Sequence, residues 1–147
     1  MAYISDSDIE TRLGSPVYVQ LTDDQGTGSA NQAVVTEARA GAEGEVNAYL
    51  ARRYAVPIDL ARHPETAGIL ASITLDLVEY RLRLRRPPVP AEATARRDAA
   101  VAWLRLVAAG EIELPTSTAP AASQLHGTQG QVVGDERVLD REELSDY

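Results

Sequence analysis

The sequence has no cysteine and only two histidines. Without cysteine there is no disulfide framework and no thiolate site, and nothing points to an oxidising compartment. His63 adjoins Pro64 ahead of a helical pattern and is expected as a cap or an exposed residue, while His126 falls in a polar C-terminal stretch. Neither stands in a ligand spacing, so no metal site is expected. Lysine is absent too, which makes all 14 basic residues arginine. In so alanine-rich a chain this is consistent with GC-rich coding, although arginine also makes the better bidentate contacts. No apolar run approaches the roughly 20 residues of a membrane span, so a soluble protein with no membrane partner is expected. The opening MAYISDSDIE lacks the basic and apolar regions of a signal peptide. No GxSxG elbow, Walker loop or Rossmann fingerprint occurs, so neither enzymatic activity nor a cofactor is expected.

What the chain does have is length and a negative charge. Its 147 residues suit one domain with a real core, and 44% hydrophobic residues exclude wholesale disorder. The formal net charge of −8 argues against general affinity for DNA or anionic membranes.

Periodicity predicts an all-α fold, a small bundle of about four helices. Ser5-x-x-Asp8 and Ser7-x-x-Glu10 both fit a capping box, with Ile4 and Ile9 at staple spacing, and Gly14 and Pro16 end that first helix. In PVYVQLTD, Val17, Val19 and Leu21 alternate with Tyr18, Gln20 and Thr22, which reads as a short strand or an extended linker. DDQGTGS has the acidic start of a calcium loop, but an EF-hand register from Asp23 puts Gln25, Thr27 and Val34 at ligand positions, so a plain turn is the better reading.

Ser29-x-x-Gln32 is placed as the cap of a second helix running to about Tyr54, with Val35, Ala38, Ala42, Val46, Tyr49 and Leu50 on its buried face. Gly41 and Gly44 each cost such a helix about 1 kcal/mol against Ala, which suggests close approach of another backbone. Pro64 suits the first turn of the third helix, where Ile69, Ile73, Leu77, Tyr80 and Leu84 form a stripe widened by Leu70, Leu75, Val78 and Leu82. Asp76 and Glu79 share a face of it that reads as solvated. The helix ends in Arg81, Arg83, Arg85 and Arg86, favoured there by the helix dipole, with Glu79 placed to pair with Arg83. After Pro87, Pro88 and Pro90, a fourth helix over about 91–109 is expected to bury Ala95, Ala99, Trp103 and Leu106 and to stop at Gly110. Ile112 and Leu114 then tuck back onto the bundle.

From residue 116 the composition turns to Ser, Thr, Ala, Gly and Gln, too polar to fold alone. The last residues, RVLDREELSDY, regain Val138, Leu139, Leu144 and Tyr147 among charges. Residues 1–115 are therefore read as the helical domain and 116–147 as a long extended C-terminal arm for docking. Nucleic acid is the rival reading: a small helical DNA-binding or regulatory protein using Arg81, Arg83, Arg85 and Arg86, although few aromatics flank them for stacking.

In their order along the chain, AYISDSDIETRLG, VQLTDD with its glycine-bearing loop, EVNAYLARRYAVPI, ITLDLVEYRLR, AVAWLRLVAAGEIEL and RVLDREELSDY make the sequence resemble the Mu-like phage head–tail adaptor (connector) proteins. Tyr49, Leu50, Arg53, Tyr54 and Pro57 occupy that family's helix-end signature. Gly41 and Gly44 depart from its preference for stronger helix formers, and the 116–136 tether is long. The resemblance implies a structural virion protein made in the host cytoplasm and placed at the head–tail interface or neck. It implies a homo-oligomeric ring, commonly a dodecamer, between the portal protein and a tail-side neck or tail terminator protein, through which genomic DNA passes without specific binding. On that reading Arg137, Val138, Leu139, Arg141, Leu144 and Tyr147 contact the portal or a neighbouring subunit. Arg53, Arg81, Arg83, Arg85 and Arg86 are candidate subunit contacts, with a structural salt bridge the other role open to Arg53. Tyr49 and Tyr54 are expected to close the helix end over Pro57 and Ile58.

Overall fold

The computed structural model describes residues 2–116, so the C-terminal arm, with Arg137, Val138, Leu139, Arg141, Leu144 and Tyr147, lies outside the described residues. The described residues form five helices and no strand: α1 (Asp6–Leu13), α2 (Ser15–Thr22), α3 (Gln32–Leu50), α4 (Pro64–Leu84) and α5 (Ala91–Ala109). The three long helices pack on one another, and the short α1–α2 pair lies against α4, with α2 also touching α3.

The first helix forms as its local signals require. Ser5 Oγ accepts from the Asp8 N–H at 3.2 Å while the Asp8 carboxylate accepts from the Ser5 N–H at 2.7 Å, a complete capping box. Ile4 and Ile9 are both buried beneath it. The next segment is neither strand nor linker but α2. With Pro16 in its first turn it buries Tyr18, Leu21 and Thr22, and Thr22 Oγ1 donates to the Tyr18 carbonyl at 2.7 Å. Over eight residues a period of two and a period of 3.6 overlap, and Gly14 with φ +78 allows the chain to stop one helix and start another.

Helix α3 starts later than the Ser29 signal suggests, because Asn31 supplies the cap, its Oδ1 accepting from the Ala33 N–H at 3.0 Å. It ends at Leu50, followed by a tight turn in which the Arg53 and Tyr54 N–H groups both donate to the Leu50 carbonyl at 2.9 Å. Val35, Ala42, Val46 and Leu50 are buried, and Ala38 and Tyr49 pack at the core's edge. Neither glycine admits a backbone. A Cβ at Gly41 would sit 2.9 Å from the Arg81 guanidinium, whereas one at Gly44 would meet nothing within 4 Å.

Helix α4 is central, as its breadth of apolar surface indicates, but its buried stripe is turned from the expected one. Leu70, Ile73, Leu77, Val78 and Leu82 face the core with Thr66 and Thr74, while Ile69 and Leu84 are 39% and 52% exposed. The threonines fit inside because their hydroxyls bond back to carbonyls of the preceding turn, Thr74 to Leu70 at 2.7 Å and Thr66 to His63 at 2.8 Å. His63 stands at the N-cap position and is buried rather than exposed, with Nδ1 3.5 Å from Glu65 Oε1.

Helix α5 also sits in another phase. Ala93, Ala100, Val101, Leu104 and Val107 are buried, Trp103 is half-buried, and Ala95, Ala99 and Leu106 face outward. Gly110 ends it in the left-handed conformation, φ +86, and Leu114 is buried beyond it. The Leu114 N–H donates to Tyr54 Oη at 2.9 Å, so Tyr54 closes over the end of α5. Ile58 is held by Tyr3, whose hydroxyl accepts the Ile58 N–H at 2.9 Å and donates to Asn47 Oδ1 at 2.5 Å.

Candidate functional site

The four arginines at the end of α4 are spent on the fold. Arg81 crosses α3 over Gly41 to Glu45 at 2.9 Å, and Arg83 reaches one turn back to Glu79 at 2.8 Å. Arg85 donates to the Leu21 carbonyl at 2.7 Å and pairs with Asp24. Arg86 donates to the Asp23 carbonyl at 2.9 Å, with Asp24 at 3.5 Å. The loop they grip is organised by Asp23, whose carboxylate accepts from the Gly28 and Gln25 N–H groups at 2.7 and 3.1 Å. Backbone hydrogen bonds, from Thr27 first and also from Gly28 and Gln25, hold the Asp23 carboxyl below its ordinary pKa. The calcium-like sequence is thus a carboxylate-centred turn tied to α4 by two arginines. Among the described residues, no group of three or more His, Cys, Asp or Glu side chains could hold a metal ion.

Arg53 lies across Gly110, where a Cβ would fall 1.7 Å from its guanidinium, and reaches Glu113 at 3.6 Å. It therefore makes a salt bridge within the chain, and Gly110 leaves the space for it.

The most buried charges in the described chain were not legible as such in its sequence. Glu79, read as part of a solvated face, has a side chain only 5% exposed. It accepts from Arg83 at 2.8 Å on its own helix and from Arg96 of α5 at 2.9 Å, with Arg12 of α1 at 3.5 Å. Asp76, one turn earlier, pairs with Arg12 and has Arg96 at 3.8 Å. Burial pushes the Asp76 carboxyl above its usual pKa, opposed by the charges of Arg12 and Arg96 and aided by that of Glu79. Burial acts the same way on Glu79, but there the Arg83 hydrogen bond and the Arg96 charge outweigh it, and its pKa is lowered. This cluster joins α1, α4 and α5 through ion pairs, so it serves as a structural joint. The one signal for it was a pair of acids set three apart within an unusually apolar helix.

Several surface features remain open to a partner, most of them apolar or aromatic and one lined by two arginines. Leu84 lines a shallow groove of about 290 Å³ between α3 and α4, together with Val34, Glu37, Ala38, Arg81 and Arg85. A second groove beside it is bounded by Tyr80, with Arg97 stacked 5.4 Å from the ring centroid. Along α5, Ala95, Ala99, Ala102, Leu106 and Ala109 recur at intervals of three and four on the outward face, with Leu106 38% exposed. Ile69 adds a further exposed apolar side chain on α4. At the far end of the bundle, Tyr49, Arg52, Arg105, Ala108 and Ala109 line a groove of about 260 Å³. Among the described helices none is long and apolar enough to cross a membrane.

The model of the family described as Bacteriophage Mu, Gp36 matches residues 3–132, most of the chain. No curated protein matches it.

Proposed function

The chain belongs to the Bacteriophage Mu Gp36 family, and on that premise we propose that it is a head–tail adaptor, a structural virion protein that forms a ring between portal and tail. The observation that carries the proposal is where apolar surface remains uncovered on this acidic body. It lies at Leu84 beside the α3–α4 groove and along the α5 row ending in Leu106 and Ala109. A ring is built from heterologous contacts, in which one face of each subunit meets a different face of the next. Separate apolar strips on α4 and α5 suit that requirement. The net charge of −8 suits a channel through which DNA slides without adhering, since an anionic wall gains nothing from phosphate.

The rival reading, a DNA-binding module using Arg81, Arg83, Arg85 and Arg86, finds less support. Each of those guanidiniums already has a carboxylate of this chain beside it, so phosphate contact would first require breaking a pair that holds the fold.

Phage particles assembled without this protein test the adaptor role. Electron micrographs are expected to show heads and tails unjoined, with heads losing their genome, and normal tailed virions would refute it.

A further inference from the structure

We propose that the groove at the ends of α3 and α5 is a receptor for an acidic, leucine-bearing peptide, and that in the free protein residues 137–147 of the same chain fill it. Arginine pairing in the described chain is nearly complete. Arg12, Arg39, Arg53, Arg62, Arg81, Arg83, Arg85, Arg86, Arg96 and Arg97 each have a carboxylate within ion-pair distance. Arg52 and Arg105 have none among the described residues, and both line this one groove. In a chain of net charge −8, two unpaired guanidiniums on either side of one cleft mark a place for an anionic group.

The rest of the groove is apolar. Ala108, Ala109 and Tyr49 complete its lining, and about 260 Å³ accommodates one or two large side chains. RVLDREELSDY has the complementary arrangement: Leu144 follows Glu142 and Glu143 and precedes Asp146. Leu144 seated against the alanines would bring carboxylates to both arginines.

The path of the chain favours its own segment over one from elsewhere. The described residues end beside the groove, since Glu113 is 3.6 Å from Arg53 and the Leu114 N–H is bonded to Tyr54, both in the turn that carries Arg52. A Gly/Ser-type linker of about 20 residues would span roughly 25 Å, and tethering over such a distance gives an effective concentration in the millimolar range. The inference does not depend on the adaptor reading, and its test involves neither portal nor tail.

Because the chain lacks cysteine, Ser145→Cys in the full-length protein gives a single site for a nitroxide label that leaves Leu144 and its acidic neighbours intact. In dilute, isotope-labelled protein the label should broaden the amide signals of Tyr49, Arg52, Arg105 and Ala108. That broadening should vanish in R52E/R105E, whose remaining spectrum is unchanged, and weaken at about 1 M salt, where the Debye length is about 3 Å. Broadening centred on the Leu84 groove, or nowhere in the helical body, would overturn the proposal. Groove broadening that arises only between a labelled and an unlabelled copy would overturn it in favour of an arm exchanged between molecules.

Discussion

Glu79 accepts from Arg83 of its own helix and Arg96 of α5 at 2.8 and 2.9 Å, with Arg12 of α1 at 3.5 Å, while almost fully shielded from water, so three helices meet at one carboxylate. Removing one partner of a buried pair costs about 3–5 kcal/mol, and Glu79→Ala should fall near the lower end because Arg83 and Arg96 can turn toward solvent. Urea unfolding of the variant measures this. The acid limb of stability separates Glu79 from its neighbour. A carboxyl whose folded pKa is depressed contributes stability above its unfolded value, about 4.3 for Glu, and loses it as pH falls through the folded value. Asp76 works the other way: its folded pKa is raised, so its ionised form costs stability at higher pH and the cost is relieved as pH falls through that value. Stability measured from about pH 5 to 3 should therefore decline less steeply in Glu79→Gln and more steeply in Asp76→Asn than in the parent. Gly110 is constrained by conformation and by space, with φ +86 and Arg53 where a side chain would begin. Gly110→Ala should cost at least the roughly 1–2 kcal/mol of a left-handed non-glycine residue, with the Arg53–Glu113 pair lost as well.

At the scale of elements, the outward phase of α5 is testable by adjacent substitutions. Ala100 is buried and Ala99 exposed, so Ala100→Glu should unfold the bundle or lower its stability severely. Ala99→Glu should stay within about 0.5 kcal/mol of the parent in thermal melts. The sequence could not set that phase, because alanines at 91, 93, 95, 99, 100 and 102 fit two stripes about equally. The large Trp103 and Leu106 then draw the reading to the wrong one. Helix α1 was legible because its cap is made within four residues, and Gly110 because a left-handed stop is a local demand. Helix α2 was not, since eight residues are too few to separate a strand period from a helix period. The arginine partners were the least legible. Arg81–Glu45, Arg85–Asp24 and Arg12–Asp76 join residues from different elements, and charge composition alone does not say which acid meets which base.

For the whole molecule, the pairing of cations within the chain leaves an acidic body whose uncovered features are apolar strips and the Arg52–Arg105 groove. An adaptor needs a stable protomer whose contact surfaces can change without affecting its fold. Leu84→Glu and Leu106→Glu, both at exposed positions, should leave the melting temperature nearly unchanged, since substitutions away from buried features stay within about 0.5 kcal/mol. The same variants should fail to assemble in a particle-joining assay. The most direct measurement is electron microscopy of the purified full-length protein mixed with its cognate portal. The adaptor reading requires an added ring of density on one face of the portal, reduced or absent with Leu84→Glu. Bare portals at saturating protein, together with salt-sensitive DNA binding that depends on Arg85 and Arg86, would contradict it.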